Sequence, residues 1–132
     1  MEVLSPLVDL APKQSYTFVE NWYATRCEGP ILEVNNVGVI KKRLTVQPLN
    51  DDSARIDGAY GLFYQGEVRI AFQNAEGEKI GSGKSYPVSP PVQFLLQDRC
   101  VIPRKTRLVE LQLYDAFGRF VGTLDSTPNE PR

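Results

Sequence analysis

Any chemistry in this chain has to be done without imidazole, because it holds no histidine and only two cysteines. A Ser-His-Asp or Cys-His triad is therefore excluded. His-bearing zinc sites are excluded as well, and two thiolates cannot build a four-thiolate zinc or iron–sulfur site within one chain. Sixteen Asp and Glu remain as material for paired-carboxylate hydrolysis. No pair among them is singled out by position. A hydrolase would need two carboxylates about 5–10 Å apart in a real cleft.

Four short runs resemble ligand sites and are better explained without a ligand. Ile80-Gly-Ser-Gly-Lys-Ser85 looks like the end of a phosphate loop, but Glu78 stands where that motif needs its first Gly. Tyr86-Pro-Val-Ser-Pro-Pro91 follows it and cannot open the helix such a loop requires. Gly81 and Gly83 are then a bulge or a strand end. Asn50-Asp-Asp-Ser53 offers hard oxygens but lacks the acidic spacing and distal Glu of a calcium loop, so it is expected to be a solvated turn. Lys41-Lys-Arg43 and Arg104-Lys-Thr-Arg107 are the two basic runs. Cations on strand edges discourage edge pairing, and a net charge of −1 argues against a phosphate-backbone surface. No cofactor, metal site or nucleic-acid partner is expected.

The aromatic residues are the remaining candidates. Tyr60-Gly-Leu-Phe-Tyr64, together with Trp22 and Tyr23, forms the one aromatic concentration. Alternation puts Tyr60, Leu62 and Tyr64 on one strand face and Phe63 on the other. One set should be core. The other, if exposed, would contact a protein partner, or stack on a sugar ring if the rings lie flat in a row. Tyr60, Phe63, Tyr64, Trp22 and Tyr23 are accordingly the candidate binding residues. A protein, bound through a sheet edge or this aromatic face, is the first expected partner, and a carbohydrate on the exposed aromatics is the alternative.

The elements that must carry these residues are strands. Val68-Arg-Ile-Ala-Phe-Gln-Asn-Ala-Glu-Gly-Glu-Lys-Ile-Gly81 realigns with Val109-Glu-Leu-Gln-Leu-Tyr-Asp-Ala-Phe-Gly-Arg-Phe-Val-Gly122. Each copy opens with strict alternation, the mark of a strand with one buried face. Each then meets an Asn or Asp followed three residues later by Gly, which is turn chemistry. A third version, Asn35-Asn-Val-Gly38, lies between Ile31–Val34 and Val39–Val46. Further strands are expected at Ser53–Ile56 and Ala59–Tyr64 about an Asp57-Gly58 turn, and at Val92–Leu96 and Arg99–Ile102 about Gln97-Asp98. Residues 15–26 are read as a strand from their Thr, Val, Trp, Tyr and Phe content. The expected core includes Val68, Ile70, Phe72, Val109, Leu111, Leu113, Leu44, Val46 and Phe94.

At 132 residues, with 42% apolar and 23% charged residues, the chain has the make-up of one globular domain. Residues 1–13 are expected to form an extended N-terminal arm or edge strand, 14–125 a β-sandwich, and 126–132 a flexible, proline-rich tail. No apolar run reaches the length of a membrane span. The start lacks a basic leader, and Pro6 and Asp9 interrupt its apolar run. A cytoplasmic location is expected if Met1 is the natural start, and an extracytoplasmic one if a leader has been removed. Cys27 and Cys100 would close a long loop as a disulfide, worth ~4 kcal/mol in the chain-entropy model. Two separate buried thiols are the favoured reading.

Leu111-Gln-Leu-Tyr-Asp-Ala-Phe-Gly-Arg-Phe-Val-Gly-Thr123 resembles the strand–turn–strand signature of FxLYD-type and similar bacterial immunoglobulin-like domains. In those domains a Tyr-Asp turn leads into a Gly and then an apolar–Gly pair, and Leu111 stands where the family has Phe. Glu33-Val-Asn-Asn-Val-Gly-Val-Ile-Lys-Lys-Arg-Leu-Thr-Val46 is similar to the early hairpin of immunoglobulin-like modules. The Cys…Trp…Cys order of antibody-type domains is absent, since Trp22 precedes Cys27. The resemblance implies an all-β, immunoglobulin-like antiparallel β-sandwich of about seven or eight strands. It also implies an accessory or interaction module, with no catalytic residue to carry over.

Overall fold

The computed structural model describes residues 3–130 and builds eight strands in two four-stranded antiparallel sheets. The internal repeat forms one of them. Its alternating segments become β4 (Gly66–Gln73) and β7 (Leu108–Asp115), paired at the centre of the sheet with Val68 opposite Leu113, Ile70 opposite Leu111 and Phe72 opposite Val109. All six are buried. Each repeat continues through its turn into an outer strand, β5 (Lys79–Val88) or β8 (Phe120–Pro128), giving the order β5-β4-β7-β8. The second sheet has the order β1-β2-β3-β6, from β1 (Glu33–Val34), β2 (Gly38–Pro48), β3 (Ser53–Leu62) and β6 (Phe94–Val101). The inner faces meet in one core, in which Ile40, Leu44, Ile56, Tyr60, Leu62, Phe94 and Leu96 face the repeat's residues. Val46, expected inside, is half-buried against this core.

The turns follow the expected chemistry in two cases and depart from it in the third. Asn74 Oδ1 accepts from the amides of Glu76 and Glu78, and Asp115 Oδ1 accepts from those of Phe117 and Arg119. Gly77 and Gly118 then take φ of 80° and 78°, which an L side chain resists. Asn35 Oδ1 likewise accepts from the Val37 and Gly38 amides. Gly38, however, is required by proximity: a Cβ there would run into the Gly61 carbonyl of the neighbouring strand.

Four expectations are corrected. Asp57-Gly58 and Gln97-Asp98 are not turns. β3 and β6 run straight through them and pair there, Asp57 with Gln97 and Gly58 with Leu96. Tertiary partners override the turn propensity. Gly58 leaves room for the Tyr60 ring, the Arg55 guanidinium grips Asp57 with two hydrogen bonds, and Lys84 and Tyr86 of β5 hold Asp98. Residues 15–26 form no strand, because no neighbouring edge pairs with them. The tail contributes Ser126–Pro128 to β8, paired with Leu108–Glu110, and Asn129 is tied to Arg107 and Thr106. Its last two residues and the first two of the arm lie outside the described range.

One buried carboxylate joins the sheets. In β8 the register slips between Leu111 and Gln112 of its partner, so that Leu124 and Asp125 are both buried. A bulge re-aims a side chain in this way. In β2 a slip between Lys42 and Thr45 turns the Leu44 amide away from β3. Asp125 Oδ2 accepts from that amide at 2.8 Å and from the Tyr60 hydroxyl at 3.0 Å. Oδ1 accepts from the Ser126 amide and from Arg43, whose guanidinium also pairs with Glu33. Burial, and then the Asp125 charge, push the Tyr60 phenol upward, which keeps it a donor.

Asp125→Ala is expected to cost about 3 kcal/mol or more, because it strands the Leu44 amide and the Tyr60 hydroxyl in the core. Tyr60→Phe should cost only about 1 kcal/mol, since the carboxylate keeps its other donors. Urea unfolding of both variants checks this, and equal costs would mean that Asp125 does not organise the group. Asp98 supplies a second test. Lys84 first, then the Arg99 amide and Tyr86, hold its carboxyl below the usual range. Its stabilisation is complete above the unfolded carboxylate value near ~4 and is lost as pH falls through the lower folded value. Asp98→Asn should therefore flatten the acid limb of stability against pH, and an unchanged slope would refute the assignment.

Candidate functional site

The five candidate aromatics do not stay together. Tyr60 is fully buried and belongs to the Asp125 group. Phe63 and Tyr64 follow the end of β3, where the chain crosses to the other sheet, and are half-buried. Tyr23 comes from the arm and lies on both, its ring centroid 5.4 Å from that of Phe63 and 5.8 Å from that of Tyr64. The planes are inclined by 31° and 53°, so the rings share no common plane. Trp22 stands beside this stack with 63% of its surface exposed, and its Nε1 donates to Glu20.

The arm that brings Tyr23 there is anchored over one short stretch. The Arg26 amide and the Thr25 hydroxyl both donate to the Pro90 carbonyl, at 2.8 and 3.2 Å. Thr25 and Cys27 cover Gly61 so closely that a Cβ at Gly61 would meet Thr25 Oγ1 at 2.7 Å. Glu28 then pairs with Lys41, and the Leu32 amide donates to the Ile40 carbonyl as β1 begins. Upstream of this anchor every residue from Val3 to Ala24 is exposed. The chain turns once, where the Gln14 amide donates to the Ala11 carbonyl and Lys13 takes φ of 66°. Leu4, Leu7, Val8, Leu10, Phe18 and Val19 thus stand in solvent. An apolar segment of this length outside the core is the strongest departure from ordinary burial in the chain.

Two further aromatics near this end escaped the sequence reading. Phe117 sits at the tip of the β7–β8 turn with 83% exposure, and Arg119 stands over its ring at 5.2 Å. Phe120 follows, packed on Tyr114, with Arg69 over the Tyr114 ring at 3.9 Å. The signal was available: turn chemistry at Asp115-Ala-Phe-Gly118 requires the Asp and the Gly and gives no reason for a Phe at the tip.

Clefts open at both ends of the sandwich. The one of about 740 Å³ lies among Gln65, Val88, Val92, Phe94 and Ala116 and has Glu67 and Asp115 as its acids. Glu67 is engaged by Arg69, and Asp115 by its own turn and by Arg119. The cleft of about 430 Å³ at the opposite end lies between Asn50–Ala54 and Ile102–Thr106. There Asn50 Oδ1 accepts from the Asp52 and Ser53 amides and the Ser53 hydroxyl, which is turn closure. Lys84 of the Gly-Ser-Gly-Lys run lies on β5 with its ammonium on Asp98. Cys27 and Cys100 are free thiols, but only Cys100 is buried as expected; Cys27 is half-buried, because it lies in the arm's anchor over Gly61, and both thiols are pushed up chiefly by desolvation. Among the described residues no helix is long and apolar enough to cross a membrane. Compared with family models, with curated proteins and with solved structures, the chain matches none.

Tyr23→Ala removes the arm's aromatic contact without entering the core. It is expected to speed hydrogen exchange at the Arg26 amide roughly fivefold, the loss of an aromatic contact of about 1 kcal/mol. The global unfolding midpoint should hardly move. Unchanged exchange at Arg26 would show that the Pro90 contacts hold the arm alone.

Proposed function

We propose that this protein is a non-enzymatic interaction module that binds another protein through its N-terminal arm and the Tyr23–Phe63–Tyr64 stack at the arm's root. The observation that carries this reading is the uninterrupted exposure of Val3–Ala24, with its large apolar side chains, beyond an anchor that fixes where the segment leaves the body. A segment left extended and apolar is suited to add to a partner's sheet edge or to fill its groove. Two further observations support it. The inclined rings offer a sugar no flat platform, so a carbohydrate ligand draws less support. The acids in the larger cleft are committed to neighbouring guanidiniums and turn amides, which gives paired-carboxylate hydrolysis little to work with.

The strand order also supports the immunoglobulin-like reading of the sandwich. β2, β3 and β6 share one sheet and β5, β4, β7 and β8 the other. The chain thus changes sheets after β3, after β5 and after β6, in Greek-key fashion.

The test is capture from native extract with the full chain as bait, beside two folded variants, Phe18→Asp/Trp22→Asp and Tyr23→Ala/Phe63→Ala/Tyr64→Ala. A stoichiometric protein bound by the wild type and lost with the arm variant is the expected result. Binding that ignores the arm substitutions overturns the reading. So does an absence of protein partners accompanied by binding on a glycan array.

A further inference from the structure

A sheet edge is an open row of backbone donors and acceptors, and proteins protect such rows with short strands, prolines, bulges or charge. The edges of this sandwich are unequal in that respect. β1 has two residues, and beyond it β2 carries two register shifts and Lys41-Lys42-Arg43. β5 contains Pro87 and two shifts, and β8 contains Pro128 and two shifts. β6 has neither proline nor bulge, and of its two charges Asp98 is tied to β5, which leaves Arg99 as the one free charge along it. It pairs with β3 through eight consecutive residues without a slip, and β3 is its only strand partner among the described residues. Its outer face shows Leu95 and Val101 at 67% and 71% exposure, with Gln97 and Arg99 between them. The ties from Asp98 to Lys84 and Tyr86 run to β5 in the other sheet, and of the β6 amides only that of Arg99 is engaged by a side chain, donating to Asp98 Oδ1 at 2.7 Å.

The same chain holds an unpaired segment of matching character. Thr17–Trp22 is exposed, rich in strand formers, free of Pro and Gly, and carries a single charge, Glu20. On β6, Arg99 lies directly opposite Arg55, and like charges opposed across a sheet are unfavourable. Asp57 engages Arg55, whereas Arg99 takes part in no ion pair among the described residues. An antiparallel alignment that sets Glu20 against Arg99 also sets Phe18 against Val101 and Trp22 against Gln97, on one face. The charge is then matched, and an aromatic meets a β-branched residue, a favourable cross-strand pair. The chain's own arm leaves the body over Phe63 and Tyr64, with residues 3–24 exposed rather than laid along β6.

The geometry points to a second copy of this chain as the arm's partner, with Thr17–Trp22 of each copy adding as a strand to the free edge of β6 in the other. This rests on the arm being the binding element and names what it binds. Reciprocal exchange closes the assembly as a dimer.

Sedimentation velocity on the full chain tests it, with wild type, Glu20→Arg, Arg99→Glu and an equimolar mixture of the two variants. Both substituted positions are exposed, and thermal melts verify folding. Wild type should dimerise, and each single variant should do so at least about tenfold more weakly. The mixture should recover dimer, because each arm then meets an oppositely charged edge. A dimer indifferent to either charge, or a mixture that stays monomeric, overturns the proposal. A monomeric wild type that still captures a different protein through its arm overturns this partner while leaving the arm as the binding element. A monomeric wild type that captures nothing overturns both.

Discussion

The contact on which the sandwich depends is the Asp125 carboxylate, buried between sheets whose inner faces are mostly apolar. It touches the Leu44 amide of β2, the Tyr60 hydroxyl of β3 and the Arg43 guanidinium with both oxygens. Apolar packing is tolerant of sliding; a charge with several fixed donors is not. The carboxylate is reachable only because two strands break register: a slip in β8 turns Asp125 inward, and a slip in β2 frees the amide that meets it. Asn35 adds a second polar tie at the same seam, since its Nδ2 donates to the Leu124 carbonyl. The opposite seam is held by Lys84 and Tyr86 on Asp98. Both seams therefore close with a carboxylate, one buried and one at the surface.

Much of this architecture could be read from the residues. The alternation at Val68–Phe72 and Val109–Leu113 identified the central strands because both bury one face completely, so every second position is constrained. The Asn74–Gly77 and Asp115–Gly118 turns were legible because their chemistry is local. Asp57-Gly58 and Gln97-Asp98 misled for the opposite reason. Asp57 is held by Arg55 from two residues away on the same strand and Asp98 by β5 of the other sheet, while Gly58 makes way for a ring two residues on. Nothing in a short window separates such a Gly from a turn Gly.

The aromatic patch was half legible. Composition picked out Trp22, Tyr23 and Tyr60–Tyr64, and alternation placed Tyr60 and Leu62 on one face, both of which are core. What separated Tyr60 from Tyr64 was the end of β3 after Leu62, a boundary that alternation alone does not supply. The 15–26 segment has strand composition without a strand because composition reports suitability for a pleated surface, and pairing needs an available edge. That mismatch between what a segment is suited for and what it is given is the source of both functional readings.

The place of Asp125 in the last strand has a kinetic meaning. Leu44 and Tyr60 precede it by 81 and 65 residues, so the amide and hydroxyl that it satisfies are present long before it is synthesised. Long-range closure of this kind is slow, since loop entropy is lost before the contact forms. Until β8 docks, β7 has one bare edge, and the β2 bulge points a donor at nothing. A nascent chain halted before Asp125 would thus expose one strand edge and one unsatisfied amide beside an already extended apolar arm, and quality control by chaperones and proteases would act in that interval.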